Sequence, residues 1–252
     1  MEDKPAYTDG IFPVLRTYTA ARIGLGRTGT STPLRETLRF RLAHAHARDA
    51  VFSEADIEKL RVKTAAADMP VAVVHSRAEN REMYLQNPDA GRRLSASSAA
   101  ELQKYSCSGQ TLVVVADGLS ALAVDSHAAN LLDELLPALA QRQIPAGLIV
   151  LAQQSRVALA DEIGGITGAK LSIILIGERP GLSSADSLGA YLTLNPRQGL
   201  TDESRNCVSN IRPEGFPLKA AAQKIAWLAS EAVRRGVSGI SLKDQHEDER
   251  LE

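Results

Sequence analysis

The sequence predicts an α/β protein with a Rossmann-like, mostly parallel sheet and flanking helices, preceded by a small, mainly helical N-terminal region. From residue 111 onward, short apolar runs alternate with helical segments, which is the pattern of parallel strands joined by helices. The run Leu112–Ala116 is apolar throughout, as expected for a strand that is buried on both faces. We therefore divide the chain into an N-terminal region, residues 1–100, and a Rossmann-like domain, residues 101–252.

Three apolar runs of strand length predict the centre of the sheet. They are Leu112–Ala116 (LVVVA), Leu148–Leu151 (LIVL) and Leu171–Ile176 (LSIILI). Leu188–Leu194 and the short run Val71–His75 are predicted as two further strands.

Helices are predicted between and after these strands. A long helix is expected from about Leu119 to Gln141, and a short one within Ala158–Gly168. The segment Lys219–Arg235 has one apolar stripe, arginines in its last turn and Gly236 directly after it, which is typical of a helix C-terminus.

The N-terminal region has weaker signals. Thr32 followed by Pro33 predicts an N-cap and a first helical residue, with a helix that continues to about Asp49 or Phe52. A second helix is predicted to begin at Ser53–Asp56, which loosely fits a capping box, and Arg92–Leu102 is predicted to be helical. The mostly charged tail after residue 242 is predicted to fray.

Composition excludes several classes of protein. The 252 residues have a net charge of −1, so no surface for nucleic acid or an anionic membrane is indicated. The longest apolar runs fall well short of the roughly 20 residues that a membrane helix requires. Two cysteines without a C-x-x-C pair indicate a reducing compartment, and the N-terminus does not resemble a signal peptide. We predict a soluble, cytoplasmic protein.

Parallel sheets bind ligands outside the carboxyl ends of their strands. This rule points to three loops, Asp117–Ser120, Gln153–Val157 and Gly177–Ser184. The third loop places a carboxylate, Glu178, and a guanidinium, Arg179, directly after an apolar strand. Two interpretations stay open: Glu178 accepts hydrogen bonds from a ligand, or the two residues form an ion pair at a surface turn.

Gly24–Gly29 (GLGRTG) matches the dinucleotide-binding pattern G-x-G-x-x-G, and Asp49 follows about twenty residues later. The alternative function is therefore a nucleotide-binding Rossmann oxidoreductase. The residues around the motif do not fit a dinucleotide site. Leu15–Arg22 is too polar for a buried strand before the glycines, and Thr30–Pro33 delays the helix that should follow them directly. A flexible or partner-contacting loop is the favoured interpretation.

Three other groups have simple structural interpretations. Asp125–Asn130 nearly matches D-x-H-x-x-G, a motif whose histidine binds cobalt, but it falls within a predicted helix and ends in Asn. We predict that His127 is a helix-surface histidine beside Asp125. His44 and His46 are two residues apart on a helix and face different sides, so no metal site is predicted.

The run from Arg205 to Ile211 surrounds Cys207 with polar residues. No histidine lies beside the cysteine to activate it, so a contact is more plausible than a nucleophile.

Taken together, these segments resemble the small (light) subunit of ethanolamine ammonia-lyase. The matching stretches keep their order over nearly the whole chain: Ala21–Gly29, Leu38–Ala50, Tyr84–Leu94, Val115–Ser120, Arg156–Gly164, Leu171–Ser187, Cys207–Ile211 and Ser238–Leu242.

The resemblance implies a subunit of an adenosylcobalamin-dependent enzyme that converts ethanolamine to acetaldehyde and ammonia. It implies that a large TIM-barrel subunit supplies the catalytic residues, with none in this chain, and that the cofactor lies between the two subunits. The family's cobalamin-contact positions correspond here to Val157, Glu178 and Cys207. A scaffold role, with the cofactor held entirely by the partner, stays open, as does enclosure in a bacterial microcompartment.

Overall fold

The computed structural model describes residues 12–64 and 69–245. Six strands form one sheet in the order β1-β3-β2-β4-β5-β6. β1 to β4 run parallel to one another, whereas β5 is antiparallel to β4 and β6 to β5. The predicted α/β class with a mostly parallel sheet is confirmed. The strands are β1 (Val71–His75), β2 (Thr111–Ala116), β3 (Ala146–Gln153), β4 (Leu171–Gly177), β5 (Leu188–Leu194) and β6 (Arg205–Ile211).

Helices cover both faces of the sheet. α7 and α9 pack on one face, and α5 and α8 pack on the other. A π-helical turn, Val124–Ala128, joins α6 to α7. The helices are α1 (Phe12–Leu15), α2 (Leu34–Phe52), α3 (Ile57–Thr64), α4 (Arg81–Gln86), α5 (Ala96–Leu102), α6 (Ala121–Ala123), α7 (Ala129–Gln141), α8 (Leu159–Thr167) and α9 (Leu218–Arg235).

The apolar strands fill two cores at once because successive side chains point to opposite faces of a sheet. In β2, Val113 and Val115 join the core under α7 and α9, while Leu112 and Val114 join the core under α5 and α8. All four side chains are buried, which explains why the run shows no polar alternation.

β6 is the strand that sequence analysis did not predict. It lies at the sheet edge beside β5, and three of its seven residues, Cys207, Ser209 and Asn210, are exposed. The apolar pattern that identifies a buried strand is absent here, because polar residues interrupt it at Asn206, Ser209 and Asn210.

Two predicted helix starts are wrong. α2 begins at Leu34, and Pro33 occupies the cap position without a side-chain hydrogen bond, so Thr32 does not cap this helix. α3 begins after Asp56, whose Oδ1 accepts a hydrogen bond from the Lys59 amide at 3.0 Å, so Ser53 is not the cap.

The predicted helix Arg92–Leu102 is shorter than expected. α5 begins at Ala96, where the Ser95 side chain accepts a hydrogen bond from the Ser98 amide. The other predicted helices and strands are present with small shifts at their ends.

β1 pairs with β3, so the sheet includes part of the region before residue 100, and the division of the chain at that residue stays a prediction. Residues 246–252, most of the tail predicted to fray, lie outside the described residues, as do residues 1–11. Within the described ranges, no helix is both long and apolar enough to cross a membrane.

Candidate functional site

The connections that leave the parallel strands β2 and β3 lead to opposite faces of the sheet. After β2 it continues to α7 on one face, and after β3 it continues to α8 on the opposite face. Such a divergence opens a crevice at the carboxyl ends of the two strands. A cavity of about 430 Å³ lies there, lined by residues from all three predicted loops and by two tyrosines: Tyr84, Gly118, Leu119, Arg156, Val157, Ile176, Gly177, Glu178, Arg179 and Tyr191.

Two glycines let the loops after β2 and β4 approach each other. The Leu119 amide donates a hydrogen bond to the Gly177 carbonyl at 2.9 Å. A Cβ atom on Gly177 would lie 2.5 Å from the Asp117 carbonyl oxygen and would also clash with that of Ser120. Gly118 has φ +59°, and a Cβ atom there would lie 2.5 Å from an Ile176 carbon. The cavity floor therefore requires glycine at both positions.

Asp117 ties the ends of β2 and β3 together. Its buried carboxylate accepts hydrogen bonds from the amides of Gly118 at 2.8 Å, Gln154 at 2.7 Å and Ser155 at 3.0 Å. Burial raises the pKa of this carboxyl, while the three hydrogen bonds and the charge of Arg81 act to lower it. Asp117 thus shapes the loops that line the cavity.

Tyr84 lies between two guanidinium groups at the side of the cavity. The Cζ atoms of Arg81 and Arg156 are 4.7 Å and 4.1 Å from the centre of its ring. Its hydroxyl donates to the Ser155 carbonyl at 3.1 Å, and burial raises its pKa. Sequence analysis did not single out these residues, because their stacking joins α4 to the loop after β3.

Glu178 lies in the cavity wall. Its Oε2 accepts a hydrogen bond from the backbone amide of Asn210 at 3.1 Å. The backbone amide of Glu178 donates to the Ser187 carbonyl at 3.0 Å. The side chain thus binds the end of β6 and forms no ion pair with Arg179, so that predicted alternative is wrong. Val157 lines the same cavity.

Cys207 lies beside the cavity, not in its lining. It pairs with Tyr191 across β5 and β6, and the thiol and phenol form a hydrogen bond. The residue as a whole is exposed, yet burial raises the pKa of the thiol, and the hydrogen bond with Tyr191, which acts to lower the pKa, does not cancel this effect. The charge of Glu178 raises the pKa further. A thiol that stays protonated suits a contact role. The structure therefore places Val157 and Glu178 in one cavity lining. Cys207 lies outside that lining and is the cross-strand neighbour of Tyr191, which belongs to it.

The loop between β4 and β5 is held by an ion cluster. Asp186 binds His127 Nε2 at 3.1 Å and Arg212 Nη1 at 2.8 Å. The side chain of His127 is 12% exposed, and Asp125 instead accepts a hydrogen bond from the Asp56 amide. The prediction of a surface His127 beside Asp125 is therefore wrong, because the loop folds back over the helix.

We expect Asp186→Asn to lower stability at neutral pH by about 1 kcal/mol, or about 2–4 °C in Tm. Burial alone would raise the pKa of Asp186, but the hydrogen bonds from His127 and Arg212 lower it below its ordinary value of 3.8. A carboxyl whose pKa is lowered by folding stabilises the protein above its unfolded pKa and loses this effect as the pH falls. Thermal unfolding of both proteins should show a gap at neutral pH that closes below pH 3.8.

Glu58→Gln is the matched control for this pH dependence. Glu58 is 73% exposed and pairs with Arg61, so its replacement should change Tm little at any pH. A gap for Asp186→Asn that persists unchanged in acid would contradict the assignment.

Gly24–Gly29 lacks the surroundings of a dinucleotide site. The segment follows α1, and no strand lies between α1 and α2. A short turn, Thr28–Ser31, separates the glycines from α2. The alternative of a nucleotide-binding oxidoreductase is therefore wrong.

The fold defines a class of protein: an α/β chain of the doubly wound type, a class in which ligands bind at the carboxyl ends of the strands. The model of the family "Ethanolamine ammonia-lyase light chain (EutC)" matches residues 11–243. The chain is 48% identical to the ethanolamine ammonia-lyase small subunit of Azotobacter vinelandii, over 100% of this chain and 95% of the relative. It is 49% identical to that of Bradyrhizobium diazoefficiens, over 93% and 90% of the two chains.

The chain belongs to the ethanolamine ammonia-lyase light-chain family. Ethanolamine ammonia-lyase is an adenosylcobalamin-dependent lyase, so this chain is a subunit of a cobalamin enzyme. The small-subunit name of its relatives implies a large subunit as partner.

Proposed function

We propose that this chain closes over adenosylcobalamin at an interface with a large, catalytic TIM-barrel subunit, in an enzyme that converts ethanolamine to acetaldehyde and ammonia. One observation supports this most directly. Loops from three neighbouring parallel strands converge on one cavity, and two of the three family contact positions, Val157 and Glu178, line it.

The size of the cavity supports a shared site. A volume of about 430 Å³ lies toward the small end of the range for pockets that enclose drug-sized ligands. A corrin with its side chains and nucleotide is several times larger than such a ligand. Only an edge of the cofactor fits in this cavity, and the rest requires a second protein surface.

The N-terminal region supports the partner assignment. Leu34, Leu38 and Leu42 of α2 are 72%, 53% and 57% exposed and recur every four residues, which places them on one face of the helix. They line a shallow apolar groove. α2 has four arginines, two of which, Arg35 and Arg39, line this groove, so the face suits a partner surface that combines apolar and acidic groups.

In this function the residues bind and orient rather than react. Val157 supplies apolar contact, Glu178 accepts hydrogen bonds, and the protonated Cys207 packs beside Tyr191. When bound, the cofactor supplies the radical chemistry. The loops exclude water from one side of the cofactor, while the reacting groups lie on the large subunit.

Co-purification with the large subunit tests the proposal with two variants. We expect the wild-type complex to show the cobalamin absorbance spectrum. Glu178→Ala should keep the large subunit bound but weaken cobalamin about tenfold, because a charged hydrogen-bond acceptor is lost. Leu38→Lys should reduce recovery of the large subunit, because it places a charge in an apolar interface.

Val62→Lys on α3 is the control for Leu38→Lys, since Val62 is also exposed, at 70%, but lies outside the α2 face. Unchanged cobalamin affinity in Glu178→Ala would favour the scaffold role, with the cofactor held by the partner. A wild-type complex that fails to bind adenosylcobalamin would refute the proposal.

We also propose a cytoplasmic location for this complex. Cys107 and Cys207 are the two cysteines of the chain, and both are free, as expected in a reducing compartment. Enclosure within a bacterial microcompartment would be compatible with this location.

A further inference from the structure

Resting on the proposed function, we propose that Arg81 is a positioning residue that couples docking of the large subunit on α2 to the shape of the cavity floor. Arg81 is the first residue of α4, is 6% exposed and does not belong to the cavity lining. Its side chain connects the C-terminus of α2 to the loop after β2. A displacement of α2 would therefore move that loop.

Two nitrogens of one guanidinium form this connection. Nε of Arg81 donates a hydrogen bond to the Val51 carbonyl at 2.6 Å, and Nη1 donates to the Gly118 carbonyl at 2.8 Å. Nη1 also donates to Oε1 of Gln154, in the loop after β3, at 3.4 Å. Because a guanidinium is planar and rigid, it fixes the positions of the two carbonyls relative to each other. The end of α2 and the cavity floor are thus held in one arrangement.

α2 is attached to the rest of the chain mainly through its C-terminal half. Its two buried residues are Ala47 and Ala50, whereas the exposed leucines of the proposed docking face lie within residues 34–42. Val51 belongs to the last turn, where helix carbonyls have no partner within the helix and require donors from elsewhere. Arg81 supplies one such donor. A partner that binds the leucines therefore acts on a helix whose other end is held by Arg81.

The other end of the connection lies in the cavity wall. Gly118 and Leu119 both line the cavity, and the Leu119 amide is bound to the loop after β4. The Tyr84 ring also lies against Arg81, at 4.7 Å from its Cζ, and against Arg156 of the cavity lining, at 4.1 Å. A shift of Arg81 would therefore change the cavity at two of its sides.

Stability alone does not explain a buried arginine at this position. Nη2 of Arg81 is buried and has no hydrogen-bond partner among the described residues. Burial lowers the pKa of this guanidinium, although the charge of Asp117 acts to raise it. A buried charge that is incompletely paired often contributes no more to stability than an apolar side chain of similar size. An apolar side chain could not form the two hydrogen bonds, so the geometry that they impose is the favoured role.

Association of the two subunits, measured with and without adenosylcobalamin, tests this coupling. The variant is Arg81→Lys, which keeps the positive charge but has a single ammonium group that can reach only one of the two carbonyls. We expect its association without cobalamin to stay within about threefold of the wild type. The factor by which cobalamin tightens association should fall at least about tenfold, because a charged hydrogen bond is lost from the connection. A purely structural role would weaken association equally with and without cobalamin.

Hydrogen exchange gives a second test, which needs only the wild-type chain. We expect the large subunit, added without cobalamin, to slow exchange of the Leu119 amide as well as that of the α2 amides. In Arg81→Lys the α2 amides should be protected as in the wild type, and the Leu119 amide should be protected less. A wild-type Leu119 amide whose exchange is unchanged by the large subunit would overturn the inference, whether or not the variant folds.

Arg61→Lys is the matched control, because Arg61 is an arginine of α3 that is 56% exposed and pairs with Glu58 at the surface. It should behave as the wild type in both measurements. An Arg81→Lys complex that cobalamin tightens as much as the wild type would overturn the inference and leave the proposed function intact. Equal weakening with and without the cofactor would do the same, since it would assign Arg81 to stability. Failure of the wild-type complex to bind adenosylcobalamin would refute the proposed function itself.

Discussion

Gly177→Ala is expected to destabilise the protein by about 3 kcal/mol or more, or about 6–12 °C in Tm, and to abolish cobalamin binding by the complex. The Cβ atom would meet two backbone oxygens, those of Asp117 and Ser120, in the loop after β2. Backbone atoms cannot rotate away as a side chain does, so the two loops must separate. This separation would break the hydrogen bond from the Leu119 amide to the Gly177 carbonyl and widen the cavity floor.

Gly165→Ala is the control for this substitution. Gly165 lies within α8, and its Cβ atom would make ordinary contacts of 3.6 and 3.7 Å. Alanine favours a helix interior over glycine by about 0.5–1 kcal/mol, so this variant should be as stable as the wild type or more so. Thermal unfolding of the two variants measures the difference. A Gly177→Ala protein with unchanged Tm would contradict the close approach of the two loops.

Asp117→Ala is expected to cost about 3–5 kcal/mol, because it leaves three backbone amides without an acceptor in a buried site. Those amides, of Gly118, Gln154 and Ser155, belong to the loops after β2 and β3. Their release should also loosen the Tyr84 hydroxyl, which donates to the Ser155 carbonyl. Chemical denaturation measures the loss, and hydrogen exchange should show faster exchange of these three amides.

Asp117→Asn distinguishes the effect of losing the carboxylate charge from the effect of losing the side chain. It keeps one acceptor oxygen and the side-chain volume, so its loss of stability should fall between those of the wild type and Asp117→Ala. Asp89→Ala removes a carboxylate that is 84% exposed and pairs with Arg92, and it should change stability by less than about 0.5 kcal/mol. Equal effects of Asp89→Ala and Asp117→Ala would show that the three buried hydrogen bonds contribute nothing measurable.

Sequence reasoning predicted much of the site because its position follows from strand ends. Buried parallel strands are recognisable as apolar runs, and the residues after them must lie at one edge of the sheet. The three loops chosen on this basis do line one cavity. Val157, Glu178 and Cys207 came from resemblance to a family, and their contact with cobalamin stays a prediction.

Sequence reasoning did not predict the hydrogen-bond partners of two side chains, His127 and Glu178. His127 was assigned to its neighbour Asp125, yet it binds Asp186, which is 59 residues away. Glu178 was paired in one interpretation with its neighbour Arg179, yet it binds the Asn210 amide on β6. Local spacing cannot show such contacts, because they form only when loops from different strands fold together.

The sequence by itself determined the class of the fold, the central strands and the edge of the sheet at which the cavity lies, because burial on both faces leaves a recognisable apolar run. Only the tertiary structure decided that β6 completes the sheet, that β5 runs antiparallel, and that Tyr84, Arg156 and Tyr191 belong to the cavity. The physical reason is that an edge strand and a stacked side chain are defined by distant neighbours. Their own local sequence is polar and does not specify the contact.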